Sequence, residues 1–204
     1  MILNDIEIRN RVLSPEKYGM HMPLIAPFAE KQLQGASYDV TISEDVHVIN
    51  PMYQVVDLKN QSQIDSMYGT VDMDEHGFVL QPNCFALVTL NETFYIPKNM
   101  VAHLRPKTRY IRLGLHMSGQ HINPESICKL NIGIYNCTLN PIRIYPGISI
   151  AQMVFETISG EPSKDKWYST KQDANYAKDI EFVGSKTSDM FQELINNTIE
   201  SLLK

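Results

Sequence analysis

Apolar and polar positions alternate along most of the first 160 residues, in short runs that are separated by turn residues. Residues 38–51 alternate and are rich in β-branched side chains, which predicts one or two strands. Residues 78–97 predict two short strands around a Pro-Asn turn, and residues 140–160 predict two more around a Pro-Gly turn. Short strands, frequent turns and few helical windows favour a mainly β sandwich or barrel.

Two helical patterns flank these strands. Residues 3–13 predict a short helix that Asn4 caps and Pro15 closes. Residues 188–203 predict an amphipathic helix with Asp189 at its cap. The apolar face of this helix consists of Phe191, Leu194, Ile195, Thr198, Ile199 and Leu202. Either this face packs on its own domain or it forms an oligomer contact.

The pattern divides the chain into three parts. Residues 1–160 are the predicted β-barrel domain, residues 161–186 a polar and irregular tail, and residues 187–204 the C-terminal helix. Inside the barrel domain, residues 58–76 are polar and predict a loop or an excursion from the barrel.

Composition and charge exclude several classes of protein. The net charge of −5 predicts no general attraction to nucleic acid polymers. The three cysteines form no Cys-x-x-Cys pair, so neither a disulfide framework nor a zinc knuckle is expected. No apolar run approaches the roughly 20 residues of a membrane span, and the first ten residues lack the apolar core of a signal peptide. We therefore expect a cytoplasmic protein with reduced thiols and no membrane partner.

The stretch RPKTRYIRLG is the most informative for chemistry. Arg105, Lys107, Arg109 and Arg112 place four cations within eight residues of an acidic chain, and Thr108 adds a hydroxyl. A turn with these groups can offer backbone N–H groups, a hydroxyl and positive charge to a phosphate. The alternative is a solvated basic face that pairs with surface acids.

The stretch QGASYDV is a weaker signal for a metal. Gly35 and Ala36 allow a close backbone approach, and Asp39 could hold a metal ion or a water molecule. A turn before a strand explains the same residues. A zinc site at His116, His121 and Cys128 is not expected, because their spacing matches no common zinc site.

Seven stretches, taken in order, resemble the dCTP deaminase and dUTPase superfamily, nearer its deaminase branch. They are MILNDIEIRN, PFAEKQLQGASYDVTIS, FVLQPNCFALVTLNETFYIPKNMVAHL, PKTRYIRLG, HINPESICKLNIGIYN, PGISIAQMVF and WYSTKQDANYAKD. They are similar to the family's N-terminal helix, first motif, central strand pair, phosphate motif, Ile-Asp-Pro segment, late Gln motif and nucleotide-closing tail. The resemblance covers nearly the whole chain to about residue 186.

This resemblance implies a distorted β-barrel or jelly roll of the dUTPase-like type. It also implies a homotrimer with sites between subunits. The expected ligand is a deoxypyrimidine nucleoside triphosphate, with Mg²⁺ on its phosphates and its base read largely by main-chain groups.

The resemblance also assigns residues that bind the nucleotide and its phosphates. Lys107 stands at the first Arg of the phosphate motif, Thr108 at its first Ser and Arg109 at its second Ser, while Arg112 and Gly114 match directly. The remaining correspondences are Gln152 with the late Gln, Asp39 with the acid of the first motif (an indirect metal contact) and Tyr168 with a tail Tyr. Asn175 replaces an expected phosphate-binding Lys, and Lys178 is a substitute for it if the tail shifts.

Both acids that the family uses are missing at the corresponding positions. Gly133 stands where the deaminases carry a proton-shuttling Glu, and Asn123 stands where the dUTPases carry a water-orienting Asp. Asn123 remains a candidate nucleotide contact, but an amide is no base near neutral pH. Losing a positioned general base typically costs about 10²–10⁴-fold in rate.

Glu125 is the candidate catalytic stand-in. It lies two residues after Asn123, so on an extended segment both side chains point to the same side. The alternative is an exposed glutamate of a turn.

Three functions remain open on these grounds. The first is a divergent hydrolase of dCTP or dUTP, which performs deamination or diphosphate hydrolysis. The second is a catalytically deficient nucleotide-binding paralogue that acts as a sensor or regulator. The third is a structural barrel subunit with a vestigial pocket.

Overall fold

The computed structural model describes residues 1–51, 53–170, 176, 180–187 and 191. The strands of this part of the chain are β1 (Ile25–Ala26), β2 (Leu33–Gln34), β3 (Ser37–Ile49), β4 (Tyr68–Asp72), β5 (Phe78–Leu80), β6 (Phe85–Ile96), β7 (Met100–Pro106), β8 (Leu115–Met117), β9 (Gln120–Ile122), β10 (Ser126–Asn136), β11 (Ile142–Ile144) and β12 (Ser149–Thr157). Its α-helices are α1 (Asp5–Leu13), α2 (Gln61–Ser66) and α3 (Thr108–Leu113), and 3₁₀ turns span Pro15–Tyr18, Glu30–Gln32 and Lys164–Lys166.

The strands form one large antiparallel sheet that curls into a half-barrel. Its order is β8–β10–β6–β3–β12–β7–β9, with β1 on β6 and both β2 and β4 on β3, while β5 and β11 pair separately. The long strand β3 connects two halves, because its first residues pair with β12 and its last residues pair with β6. The register shifts between Ile42 and Val46, where the strand passes from one half to the other. The mainly β, barrel-like architecture predicted from the sequence is confirmed.

The core lies inside this curl and is built from alternate residues of the long strands. Val40 and Ile42 of β3, Phe94 of β6, and Met153 and Phe155 of β12 are fully buried. The neighbours of these residues along each strand point to the outer faces of the sheet. The outer faces carry the polar side chains described below.

The N-terminal helix forms as predicted. Asn4 caps α1, and its side chain accepts a hydrogen bond from the backbone N–H of Glu7 at 2.9 Å. Residues 38–51 contain one long strand rather than two short ones. Residues 161–170 are irregular apart from one 3₁₀ turn, as the polar composition of the tail indicates.

The polar composition of residues 58–76 predicts a loop or an excursion, and the structure shows an excursion that contains a helix and a strand rather than a loop. Asn60 caps α2 by accepting a hydrogen bond from Gln63, and Ile64 anchors this helix with 4% of its surface exposed. Strand β4 follows and pairs with the end of β3. The apolar signal was too weak to detect, because a single buried residue holds α2.

Two predictions fall outside the described residues. The C-terminal helix 188–203 lies outside them except for Phe191, and so does Lys178. Within the residues that are described, no helix is long and apolar enough to cross a membrane.

Candidate functional site

The basic stretch lies at the junction of β7 and α3. Strand β7 ends at Pro106, and α3 begins at Thr108, so the stretch is a helix entry rather than a simple turn. Lys107 lies between the two elements, where its Nζ donates to Asp39 Oδ2 at 2.6 Å and to Ser149 Oγ at 2.7 Å. This lysine and this aspartate are mostly buried, with 11% and 14% of their side chains exposed. Lys107 is therefore already neutralised by Asp39.

A recess of about 390 Å³ surrounds this ion pair. We call it the basic recess, and it is lined by Gln34, Asp39, Pro106, Lys107, Thr108, Arg109 and Gln152. Gln152 of β12 lies opposite Asp39 on one side and Arg105 on the other. The structure thus brings together five of the residues predicted to bind phosphate or metal. Arg112 is exposed on the last turn of α3 and does not line the recess.

One oxygen of Asp39 remains without a partner. Its Oδ1 is buried and accepts no hydrogen bond within the described part of the chain. A buried carboxylate oxygen without a donor costs free energy, so the recess favours a further donor or cation at this point.

The α3 segment depends on Gly114. This residue ends the helix with φ at +88°, and a Cβ there would lie 2.6 Å from a methyl carbon of Thr138. A glycine is required for both reasons. Nearby, burial raises the pKa of Tyr110, whose hydroxyl donates to the carbonyl of Ser149 at 3.2 Å.

A second, larger opening of about 410 Å³ lies on the outer face of β10. We call it the tail cavity, because residues of β9, the following turn and β10 form one wall and tail residues 168, 176 and 183–185 cover it. Asn123 and Tyr168, both predicted nucleotide contacts, line this cavity.

The basic recess and the tail cavity lie beside different parts of β7. Strand β9 runs antiparallel to β7 with Ala102 opposite Ile122, which places Asn123 beside Val101. Lys107 follows six residues later, or about 20 Å along an extended strand. Gln120 of the same cavity lies opposite Leu104, which is about 10 Å from Lys107. The predicted contacts Asn123 and Lys107 are therefore far apart along this strand in a single copy of the chain.

An aromatic ring occupies the space in front of Gly133, the position that the resemblance assigns to a proton-shuttling glutamate. Gly133 faces Phe85, and a Cβ at residue 133 would lie 2.7 and 2.9 Å from carbons of that ring. The backbone N–H of Gly133 donates to Ser118 Oγ at 2.9 Å. A glutamate at residue 133 would therefore require Phe85 to move.

The stand-in acid has a different geometry from the extended segment we expected. Glu125 lies in a tight turn with φ at +59°, and the hydroxyl of Ser126 closes this turn on the carbonyl of Asn123 at 2.7 Å. Glu125 is not among the residues that line the tail cavity. Its Oε2 is buried and has no hydrogen-bond partner among the described residues. Burial, and then the negative charge of Glu125, raise the pKa of Tyr95.

Sequence reasoning missed how the tail is held. The ring of Phe182 stacks on His47, with centroids 3.5 Å apart and planes inclined by 13°. Ser185 donates its backbone N–H to Tyr68 Oη at 3.1 Å and accepts from Gln61 Nε2 at 2.8 Å. Residues 182–187 therefore dock on α2 and β4, within the segment whose composition predicts a loop or an excursion.

His47 itself is buried beneath the tail. Its side chain lies between Thr70 and Thr89, and only 4% of the residue is exposed. Burial lowers the pKa of His47, although the negative charge of Asp45 opposes this shift. The imidazole is therefore neutral at pH 7.

Comparisons with known proteins agree with this fold and with these motifs. The sequence model of a family described as dCTP deaminase-like matches residues 2–158. A dUMP-forming dCTP deaminase of Persephonella marina is 29% identical over 168 residues, which cover 82% of this chain and 89% of that protein. A dUMP-forming dCTP deaminase of Beutenbergia cavernae is 30% identical over 163 residues, covering 78% of this chain and 81% of that protein.

One solved structure shows the same fold. It is the 2'-deoxycytidine 5'-triphosphate deaminase of Agrobacterium tumefaciens, which aligns with a TM-score of 0.59 at 22% identity. The alignment covers 76% of this chain and 48% of that one, so this chain spans about half the length of that relative.

Proposed function

Because the chain belongs to the dCTP deaminase-like family, we propose that it is a divergent hydrolase of deoxypyrimidine nucleotide metabolism. It acts on dCTP or dUTP by deamination, by diphosphate hydrolysis or by both. The observation that carries this proposal is the pair of sites beside β7. One gathers a lysine, a hydroxyl, an arginine and a glutamine for phosphates, and the other is a cavity of about 410 Å³ beneath the tail.

We further propose that the active sites lie between subunits of a homotrimer. Asn123 of the tail cavity and Lys107 of the basic recess are about 20 Å apart along β7. In this proposal a nucleotide takes its phosphate contacts from one copy and its base contacts from another. Sedimentation of the full chain checks this assembly, and a monomer that binds nucleotide would contradict it.

In this site the phosphates are held mainly by Thr108 and Arg109. Lys107 helps to position the phosphates, but its own attraction for them is weaker because Asp39 already balances its charge. Arg112 and Lys178 add charge from α3 and from the tail, and Tyr168 closes over the nucleotide. Gln152 lines the recess from β12, where it lies between Asp39 of β3 and Arg105 of β7.

The basic recess fits an Mg²⁺ ion that is held largely by the nucleotide. In the described part of the chain no group of three acidic, His or Cys side chains could hold a metal on its own. The unpartnered Oδ1 of Asp39 is suited to accept a hydrogen bond from a metal-bound water. Mg²⁺ commonly keeps several waters and binds through substrate phosphates and one or two carboxylates. When bound, the ion neutralises negative charge on the phosphates.

Glu125 is the proposed general base of this reaction. Glu125 does not line the tail cavity, so this role requires the turn to move and bring Oε2, which has no donor among the described residues, to the attacking water molecule. Incubating the protein with dCTP and dUTP plus Mg²⁺, followed by chromatography, tests the proposal, and dUTP or dUMP is the expected product. The variant Glu125→Gln should lower turnover by about 10²-fold or more. Unchanged turnover would remove Glu125 from the mechanism.

A second candidate function is nucleotide binding without turnover. The observation that favours it is the ring of Phe85, which fills the space in front of Gly133. In that case the melting temperature rises with one deoxynucleotide, while chromatography recovers that nucleotide intact. Release of any product would exclude this second candidate.

A further inference from the structure

Two histidines face each other on the outer side of the sheet. His103 of β7 and His121 of β9 lie directly opposite each other in the strand register. Their ring centroids are 5.0 Å apart with planes inclined by 49°, and their two Nδ1 atoms are 3.5 Å apart. His121 therefore meets a residue 18 positions earlier in the chain, which no local spacing of the sequence indicates.

The distance between the two Nδ1 atoms is long for a hydrogen bond and close to the distance between two ligands of one metal ion. Hydrogen bonds of N–H groups commonly span about 2.7–3.2 Å between the heavy atoms. Two imidazole nitrogens that each lie about 2.0–2.1 Å from a tetrahedral zinc ion are roughly 3.3–3.4 Å apart. Rotation of the two rings about their side-chain bonds is therefore enough to aim both lone pairs at one cation.

The backbone under this pair is fixed by the core. Ala102 and Leu104, the neighbours of His103, are buried, and so is Ile122, the neighbour of His121. Both imidazoles consequently project from paired strands rather than from a loop. A site on strands holds its ligands more precisely than a site on a loop does.

A carboxylate lies on the other side of His103. Oε2 of Glu156, on β12, is 3.8 Å from His103 Nε2. Because a carboxylate favours a proton on the ring nitrogen that faces it, Nδ1 of His103 is left with its lone pair toward His121. Metal-binding histidines commonly have a carboxylate or carbonyl behind their second ring nitrogen in this way.

The charges around His103 keep its imidazole neutral at pH 7. Burial lowers the pKa of His103, positive charge on His121 and Arg105 lowers it further, and Glu156 opposes these effects. A histidine must be neutral to bind a metal ion, because the cation takes the lone pair that a proton would occupy.

We infer that His103 and His121 form a binding site for a divalent transition-metal cation such as Zn²⁺. The two Nδ1 atoms bind the cation, water molecules fill its other positions, and Glu156 orients His103 from behind. Within the described residues no group of three acidic, His or Cys side chains could hold a metal ion, so this site is open and weaker than a four-ligand site.

This site differs from the basic recess in the metal that it takes. Imidazole nitrogens suit Zn²⁺, Cu²⁺ and Ni²⁺, whereas Mg²⁺ takes oxygen ligands. His121 is also one of the residues that line the tail cavity, so the cation would add positive charge beside that cavity. The inference does not rest on the proposed function, because the histidines bind the cation without a nucleotide.

The test titrates the full chain with Zn²⁺ at pH 7.5, after chelation of metals, under reducing conditions and without nucleotide. Calorimetry should show one cation per chain with a Kd on the order of 10 µM, since two ligands supply roughly half the free energy of a four-ligand site. A long-range proton–nitrogen NMR spectrum should show that Zn²⁺ shifts Nδ1 of His103 and of His121 together. The histidines that should stay unchanged are His21, His47, His76 and His116.

Variants assign the binding to the pair. His103→Gln and His121→Gln each remove one ligand and should weaken Zn²⁺ binding by about tenfold or more, and Glu156→Gln should weaken it by about tenfold. His116→Gln is the matched control, because it removes an exposed histidine of β8 and should keep the wild-type affinity. Thermal melting checks that each variant is folded.

Two outcomes would overturn the inference. Wild-type affinity in His103→Gln or in His121→Gln would place the cation elsewhere, for example on the exposed Cys84 and Cys137. A wild-type spectrum in which His103 and His121 do not respond to millimolar Zn²⁺ would show that the pair binds no cation. Neither outcome bears on the proposed function, since no nucleotide is present in these experiments.

Discussion

The basic recess and the tail cavity differ in how their polar side chains are paired. In the basic recess, Lys107 is already paired, because its ammonium group donates hydrogen bonds to Asp39 and Ser149. No Asp or Glu is among the residues that line the tail cavity, and the buried Oε1 of Gln120, which lines it, has no hydrogen-bond partner among the described residues. The first region therefore depends on its own ion pair for stability, whereas the second leaves polar groups for a ligand.

Among the variants that test this comparison, Lys107→Met should change the free energy of unfolding most. It leaves the carboxylate of Asp39 mostly buried without a counter-charge, so we expect the free energy of unfolding to fall by about 3 kcal/mol. Urea denaturation measures this loss. In the double variant Lys107→Met/Asp39→Asn most of the stability should return, while triphosphate binding should not. A single variant as stable as the wild type would show that the ion pair contributes nothing.

Gly133→Glu should have the next largest effect and acts on β10, the strand whose earlier residues form a wall of the tail cavity. The new side chain meets the ring of Phe85, and such overpacking typically costs about 1–3 kcal/mol. The double variant Gly133→Glu/Phe85→Ala makes room for the carboxylate, and its turnover of dCTP should exceed that of the wild type by about 10²-fold. Chromatography of the products measures the gain. If Phe85→Ala does not relieve the loss of stability, the ring is not what excludes an acid at residue 133.

The stability of the protein should also depend on pH, through His47 beneath the tail. Because the pKa of His47 is lowered in the folded state, the neutral imidazole contributes stability above pH 6.5 that is lost as the pH falls through the folded pKa. Wild-type stability should therefore drop between pH 7.5 and pH 5.5, and His47→Gln should reduce that drop. Urea denaturation at both pH values makes the comparison, and His76→Gln serves as the exposed control. An equal drop in both variants would show that other groups cause it.

Arg109→Gln should have the smallest effect on stability and still separates binding from folding. Arg109 is exposed and forms no ion pair within the described residues, so its removal should change the free energy of unfolding by less than about 0.5 kcal/mol. Triphosphate affinity should nevertheless fall by about tenfold, because charge-assisted contacts to phosphate are among the stronger hydrogen bonds. Calorimetry with a non-hydrolysable imido analogue of dUTP measures the affinity. Unchanged binding would limit the phosphate contacts of the basic recess to Thr108 and Lys107.

The order of amino acids alone is enough to predict the fold class and much of the basic recess. Alternation and turn residues predict the strands, because side chains on a strand point alternately to the core and away from it. Sequence motifs single out the stretch RPKTRYIRLG and the residues Asp39 and Gln152, and β3, β7 and β12 do bring them together. Local composition suffices here, because these residues lie at the ends of strands that pair directly with one another.

The tail cavity and the strands and turn around it, by contrast, depend on contacts between distant parts of the chain. Asn131, Thr89 and His47 lie on three different strands, so the hydrogen bonds among them depend on register, which sequence spacing does not reveal. The orientation of Glu125 depends on one positive φ angle, and the block in front of Gly133 comes from Phe85, a residue 48 positions earlier. The docking of residues 182–187 likewise requires α2, a helix whose single buried residue carries almost no periodic signal.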